Sequence, residues 1–141
     1  MEKSVAIITA RGGSRRIPRK NIKPFLGRPI LEYSVEAALQ AALFDEVMVS
    51  TDDREIAQAA ERAGAVVPFF RSGDTADDFA TTADVVEEVL ASYERMGRHF
   101  RTACCIYPTA PFVTAETIRT AMALLEQERA DCVIPVVKFS F

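Results

Sequence analysis

The chain of 141 residues has little with which to bind a metal or to staple itself. It carries one histidine, His99, and three cysteines, Cys104, Cys105 and Cys132, with no Cys-x-x-Cys pair. Neither a zinc site nor a disulfide framework therefore has its ligands. The cysteines fall in apolar, strand-like segments and are expected to be small buried hydrophobes. A long apolar run is missing too: the first, residues 5–10, is cut off by Arg11, too short and wrongly flanked for a signal peptide or a membrane span. The expectation is a cytoplasmic protein with no membrane partner. Repeats, low-complexity segments and linkers are absent, and 141 residues with 49% apolar content suit a single nucleotide-binding domain over residues 1–141.

Acids are absent where cations crowd. Seven of the seventeen Lys and Arg residues lie between Arg11 and Arg28, and no Asp or Glu interrupts them before Glu32. The whole chain is nevertheless acidic, at net −3, so the other ten cations face twenty acidic residues. A positive field this local suits a small polyanion held in a cleft, not a nucleic-acid track, and no nucleic-acid partner is expected.

Apolar strand signals recur at residues 4–9, 46–50, 66–70, 103–106 and 132–137, with helical patterns between most of them. The alternation predicts an α/β fold: a Rossmann-like, mostly parallel sheet with helices on both faces. A first helix is expected to open at Pro29 and run to about Leu43. Asp52 with Glu55 has capping-box spacing and starts a second helix ending near Gly64. A third, over residues 82–96, puts Val85, Val86, Val89 and Tyr93 on one face, and a fourth, over 114–128, does the same with Ile118, Met122 and Leu125. Parallel sheets bind ligands beyond the carboxyl ends of their strands. Four loops should meet on that rim: residues 10–23, 51–53, 71–82 and 107–113.

The first of these loops follows directly on a strand and reads Thr9-Ala-Arg-Gly-Gly-Ser-Arg-Arg-Ile-Pro-Arg-Lys-Asn21. Gly12 and Gly13 free the backbone to turn N–H groups inward, Ser14 adds a hydroxyl, and Arg11, Arg15 and Lys20 add charge, a set that suits a di- or triphosphate. The spacing matches neither Gly-x-x-x-x-Gly-Lys-Ser/Thr nor Gly-x-Gly-x-x-Gly, which argues against an ordinary P-loop NTPase and a dinucleotide oxidoreductase. The loop from Arg71 through Asp74, Asp77 and Asp78 to Thr81 and Thr82 could hold a base or ribose through backbone and hydroxyl groups. Tyr107-Pro-Thr-Ala-Pro111 makes a rigid turn at a strand end, equally a plain turn or a pocket wall.

Taken together, Ala10-Arg-Gly-Gly-Ser-Arg-Arg-Ile-Pro-Arg-Lys-Asn-Ile-Lys-Pro-Phe-Leu-Gly-Arg-Pro-Ile30, Val49-Ser-Thr-Asp52, Asp77-Asp-Phe-Ala-Thr-Thr-Ala-Asp-Val85 and Tyr107-Pro-Thr-Ala-Pro111 resemble the cytidylyltransferases that make CMP-activated nonulosonic acids. That is the acylneuraminate (CMP-sialic acid) synthetase family, and the pattern is most similar to its pseudaminic acid branch. The resemblance implies that the anomeric hydroxyl of a nine-carbon α-keto sugar acid attacks the α-phosphate of CTP and expels pyrophosphate. It implies catalytic roles for Arg11 and Lys20 in neutralising the triphosphate, with Arg15 in support. Ala10 and Asn21 would line the nucleotide pocket, and Arg71, Ala80 and Thr82 would contact the cytidine. Mg²⁺ would bridge phosphate oxygens, with no ligands identified in this chain.

Three departures bear on the reading. Thr9 replaces a proline usual before Ala-Arg. Tyr107 stands where the sialic acid branch has a base-contacting glutamine, and Val113 where that branch often has arginine, which favours pseudaminic over sialic acid. Relatives also continue beyond the equivalent of Phe141, into a portion that supplies paired metal-binding aspartates, most of the sugar site and the contacts of a homodimer. Residues 1–141 are accordingly expected to be the N-terminal part of such an enzyme, or a non-catalytic nucleotide-binding fragment of one.

Overall fold

The computed structural model describes residues 2–140. Its centre is a parallel sheet of three strands in the order β4-β1-β5, formed by β1 (Glu2–Thr9), β4 (Glu46–Ser50) and β5 (Phe100–Ile106). Val5 to Thr9 lie opposite Glu46 to Ser50, and Ser4 to Ile8 opposite Thr102 to Ile106. Because side chains alternate along a strand, β1 sends Ala6 and Ile8 to one face and Val5 and Ile7 to the other. The first face is covered by α1 (Leu31–Ala41), α2 (Arg54–Arg62) and α4 (Ala115–Gln127), through Leu31, Val35, Ile56 and Ile118 among others. The second is covered by α3 (Thr82–Arg95), through Val89 and Tyr93. The expected architecture, helices on both faces of a parallel sheet, is what forms. Each fully buried Ile, Leu or Val in these layers contributes about 1.5–3 kcal/mol. No helix among the described residues is long and apolar enough to cross a membrane.

Several local expectations are corrected. Pro29 does not open α1. It pairs with Pro24 in a small antiparallel hairpin of β2 (Pro24–Phe25) and β3 (Arg28–Pro29), turned by Leu26 at φ 50° and Gly27 at φ 82°. Two successive positive φ values give the turn whose twist suits a hairpin, and the helix begins only after it, at Leu31.

Residues 66–70 do not form a regular strand. Val66 bridges β4 through Val66 N–H to Val47 O and Val49 N–H to Val66 O, each at 3.0 Å. The next donor in a parallel ladder would be residue 68, which is proline and has no N–H. The segment rejoins only at Arg71, whose N–H donates to Thr51 O at 2.8 Å.

Residues 132–137 form no strand either, and Ile134, Val136 and Val137 are exposed. The cysteines are correspondingly less buried than expected: Cys104 on the edge strand β5 is half-buried, while Cys105 and Cys132 are exposed, and all three are free thiols. Desolvation pushes the Cys104 thiol up to about 11, so it is protonated at neutral pH.

Candidate functional site

Since the three strands of the sheet are parallel, the loops that follow them emerge at one end. There they enclose a cavity of about 290 Å³. From the first loop it is lined by Arg11, Lys20 and Asn21; from the third by Arg71, Asp78, Ala80 and Thr82; from the fourth by Tyr107 and Thr109. A second cavity of about 470 Å³ adjoins it, sharing Arg11, Asp77 and Asp78 and adding Gly13, Ser14 and Arg15. The first-loop cations and the residues expected near a base thus face connected space.

Two expected residues lie elsewhere. Ala10 is fully buried and outside both linings; its N–H donates to Ser50 O at 2.8 Å and ties the loop to the sheet. Gly12 also lies outside the linings and is packed against α2. A Cβ there would sit 2.9 Å from Asp53 Cβ, so the close approach to the cap of α2 requires glycine.

The loop of residues 51–53 props the site from behind instead of lining it. Asp52 Oδ1 accepts Gly12 N–H at 2.8 Å. The cap of α2 is Asp53, whose Oδ1 accepts Ile56 N–H at 3.0 Å; this corrects the capping-box reading of Asp52 with Glu55. Sequence spacing alone could not decide between adjacent aspartates.

Four of the seven clustered cations are paired with acids from elsewhere in the chain. Arg19 forks onto Asp53 at 2.6 and 2.9 Å and reaches Glu55 at 2.6 Å. The Arg19 hydrogen bond holds the Asp53 carboxyl down at about 2. Arg28 pairs with Glu32 and Glu36 on α1. Arg11 and Arg15 share the Asp78 carboxylate, at 2.5 and 2.6 Å. Lys20 has no such partner among the described residues, and it faces the cavity.

Arg71 is buried, 9% exposed, donating from Nε to Ser50 Oγ at 3.1 Å and from Nη2 to Ser50 O at 2.9 Å. Burial lowers its pKa from the ordinary arginine value, but a guanidinium stays charged at neutral pH. Asn21, 4% exposed, donates to Arg11 O at 2.8 Å, and its Oδ1 has no donor. Thr82 Oγ1 and Tyr107 Oη lie 3.1 Å apart, bridging the third and fourth loops across the cavity.

Sequence reasoning passed over one acid of this site and the partners of another. Glu88, on α3, accepts Ser72 N–H at 2.8 Å and the hydroxyls of Ser72 and Thr75, clamping the third loop. Asp78 was visible as a loop acid, but its pairing with Arg11, 67 residues away in sequence, has no local signal. The only hint was the run of cations with no acid among them.

A glycine turn and cations at the carboxyl ends of a parallel sheet define a Rossmann-like α/β fold of the nucleotide-diphospho-sugar transferase type. The chain belongs to the cytidylyltransferase family, whose model matches residues 5–140. It is 38% identical over 139 residues to the pseudaminic acid cytidylyltransferase of Campylobacter jejuni, covering 99% of this chain and 60% of that protein. With the CMP-N,N'-diacetyllegionaminic acid synthase of Legionella pneumophila it shares 38% identity over 120 residues, 85% of this chain and 52% of that one. A solved structure of CMP:2-keto-3-deoxy-manno-octonic acid synthetase complexed with CTP is similar at TM-score 0.75 and 26% identity, over 91% of this chain and 49% of that chain. The chain therefore spans about 60% of the first of these relatives.

Proposed function

We propose that this chain is the nucleotide-binding part of a cytidylyltransferase that transfers CMP from CTP to a nonulosonic acid, pseudaminic acid in preference to sialic acid. The observation that carries the proposal is the pair of connected cavities at the strand ends, lined by Arg11, Arg15, Lys20 and Arg71. The names of the relatives support both the nucleotide and the acceptor class.

In this reading the two connected cavities together take the nucleotide, with the phosphates near Arg11, which lines both, and Lys20. The acceptor's anomeric hydroxyl gives up its proton to solvent as its oxygen forms a bond to the α-phosphorus, while the bond from that phosphorus to the bridging oxygen breaks and pyrophosphate leaves with the electron pair. Transfer of this kind needs charge neutralisation and alignment more than covalent help from the protein. Lys20 and Arg11 offset charge on the phosphates. Arg71, fixed by Ser50 beneath the cavity, and Thr82 with Tyr107 across it border the space for the base and ribose.

Mg²⁺ is the cation expected with a nucleoside triphosphate. The described residues do not assemble a cage for it: no group of three His, Cys, Asp or Glu side chains is close enough to hold a metal. Of the acids beside the cavity, Asp77 accepts Phe79 and Ala80 N–H and Asp78 is paired with arginines. The whole enzyme would pair into a homodimer.

Pyrophosphate release from CTP, Mg²⁺ and pseudaminic or N-acetylneuraminic acid tests the reaction, and no release by the whole enzyme with either acid refutes it. Arg11→Ala and Lys20→Ala should each remove about 2–4 kcal/mol of transition-state stabilisation, read as kcat/KM. Calorimetry with CTP separates turnover from binding alone.

A further inference from the structure

Asp78 has no structural duty that its neighbours do not already perform. The turn it sits in is held by Asp77, whose Oδ1 accepts Phe79 N–H at 2.9 Å and Ala80 N–H at 2.8 Å. Just downstream, Thr81 and Asp84 form the reciprocal cap of α3. Upstream, Glu88 clamps Ser72 and Thr75. The Asp78 carboxylate is spent on the two arginines, one oxygen to each: Oδ1 to Arg11 Nη1 at 2.5 Å and Oδ2 to Arg15 Nε at 2.6 Å. It borders both cavities, at the point where they meet.

We propose that Asp78 is an internal competitor for the anion site, a carboxylate that occupies the Arg11–Arg15 pair until a phosphate-bearing ligand displaces it. The proposal deepens the nucleotide reading above and rests on it for the identity of that ligand. A carboxylate bridging two guanidinium groups offers the charge and the oxygen acceptors that a phosphate would offer. The Arg15 side chain is 86% exposed, so its pairing is an exposed ion pair and weak enough to exchange. Because the loop is pinned on either side of Asp78, release needs a side-chain rotation, not unfolding of the loop. The same loop brings Ala80 and Thr82 to the first cavity, so exchange at the arginines sits a few residues from the groups that border the base. Ligands without phosphate leave the pair intact.

The test is calorimetry with CTP, pyrophosphate and cytidine on the unaltered protein, Asp78→Asn and Asp78→Ser. Asp74→Asn, an exposed acid of the same loop, serves as control. Losing the competing carboxylate, with its two exposed ion pairs, should tighten pyrophosphate and CTP about three- to tenfold. Cytidine affinity and the Asp74→Asn values should not move. Unchanged or weaker pyrophosphate binding in both Asp78 variants overturns the proposal, as does an equal gain for cytidine. Pyrophosphate has no base or sugar, so its tightening with no CMP transfer by the whole enzyme upholds Asp78 and refutes the reaction. Transfer with unaltered anion affinity does the reverse.

Discussion

Arg19 and Asp53 are where a charge that looks like ligand chemistry turns out to be architecture. The fork of Arg19 on Asp53 joins the first loop to the start of α2, with Gly12 lying against the same aspartate. Its contribution depends on pH in a definite sense. The carboxyl of Asp53 is lowered from 3.8 to about 2, chiefly by the Arg19 hydrogen bond, so its stabilisation is present above the unfolded value and is lost as pH falls through about 2. Asp53→Asn keeps a good helix cap and removes only the charge. The variant should be less stable than the parent at pH 5–7, and the difference should shrink from about pH 4 downward. Urea unfolding at a series of pH values reads this, and a constant difference down to pH 2 rules it out. Arg11, Lys20 and Asn21 were legible in sequence because glycine, cation and strand end coincide within one short segment. Asp53 and Asp78 were not, since the partner that gives each its role lies 34 or more residues away.

Among the elements, α3 does more than cover the sheet. Its N-terminus is stopped by the Thr81–Asp84 capping box, and one turn further along Glu88 reaches back to hold Ser72 and Thr75. Arg71 Nη1 also donates to Thr75 O at 3.4 Å, so the helix, the loop and the buried arginine form one chain of contacts ending at the cavity. Glu88 is a positioning residue on this argument. On the proposed reaction, Glu88→Ala should raise KM for CTP about tenfold, ~1.4 kcal/mol, with a smaller change in kcat, and Glu88→Gln should recover part of the loss. Equal falls in kcat and kcat/KM would instead make Glu88 a transition-state contact. The helices were legible because their apolar stripes and caps are local. The edge at residues 66–70 was not, because a single missing N–H at Pro68 decides how far a parallel ladder continues.

At the scale of the whole molecule the sheet separates two cores, and the smaller hangs on Tyr93. This side chain is fully buried, its ring lies edge-on to Phe69 at 5.2 Å and Phe100 at 5.0 Å, and its hydroxyl donates to Glu46. Tyr93→Ala should cost about 3–5 kcal/mol in urea unfolding, the range for removing a large buried aromatic. A cost below ~1 kcal/mol would show that this face of the sheet repacks freely. Because Tyr93 lies about two turns along α3 from the cavity-lining Val85, CTP affinity of the folded variant should stay near the parent value on the proposed function.

Local order in the sequence determined the strand-then-glycine loop, the alternation of strands and helices, and the family to which both point, because each depends on neighbours within a few residues. Tertiary structure decided which cations of the first loop remain open to a ligand. Seven positive charges stand together in sequence without an acid among them, yet folding brings Asp53, Glu55 and Asp78 onto three of them, while Arg28 finds Glu32 and Glu36 on the next helix. Electrostatic pairing depends on distance in space, and only the parallel sheet, by gathering its loops at one end, sets those distances.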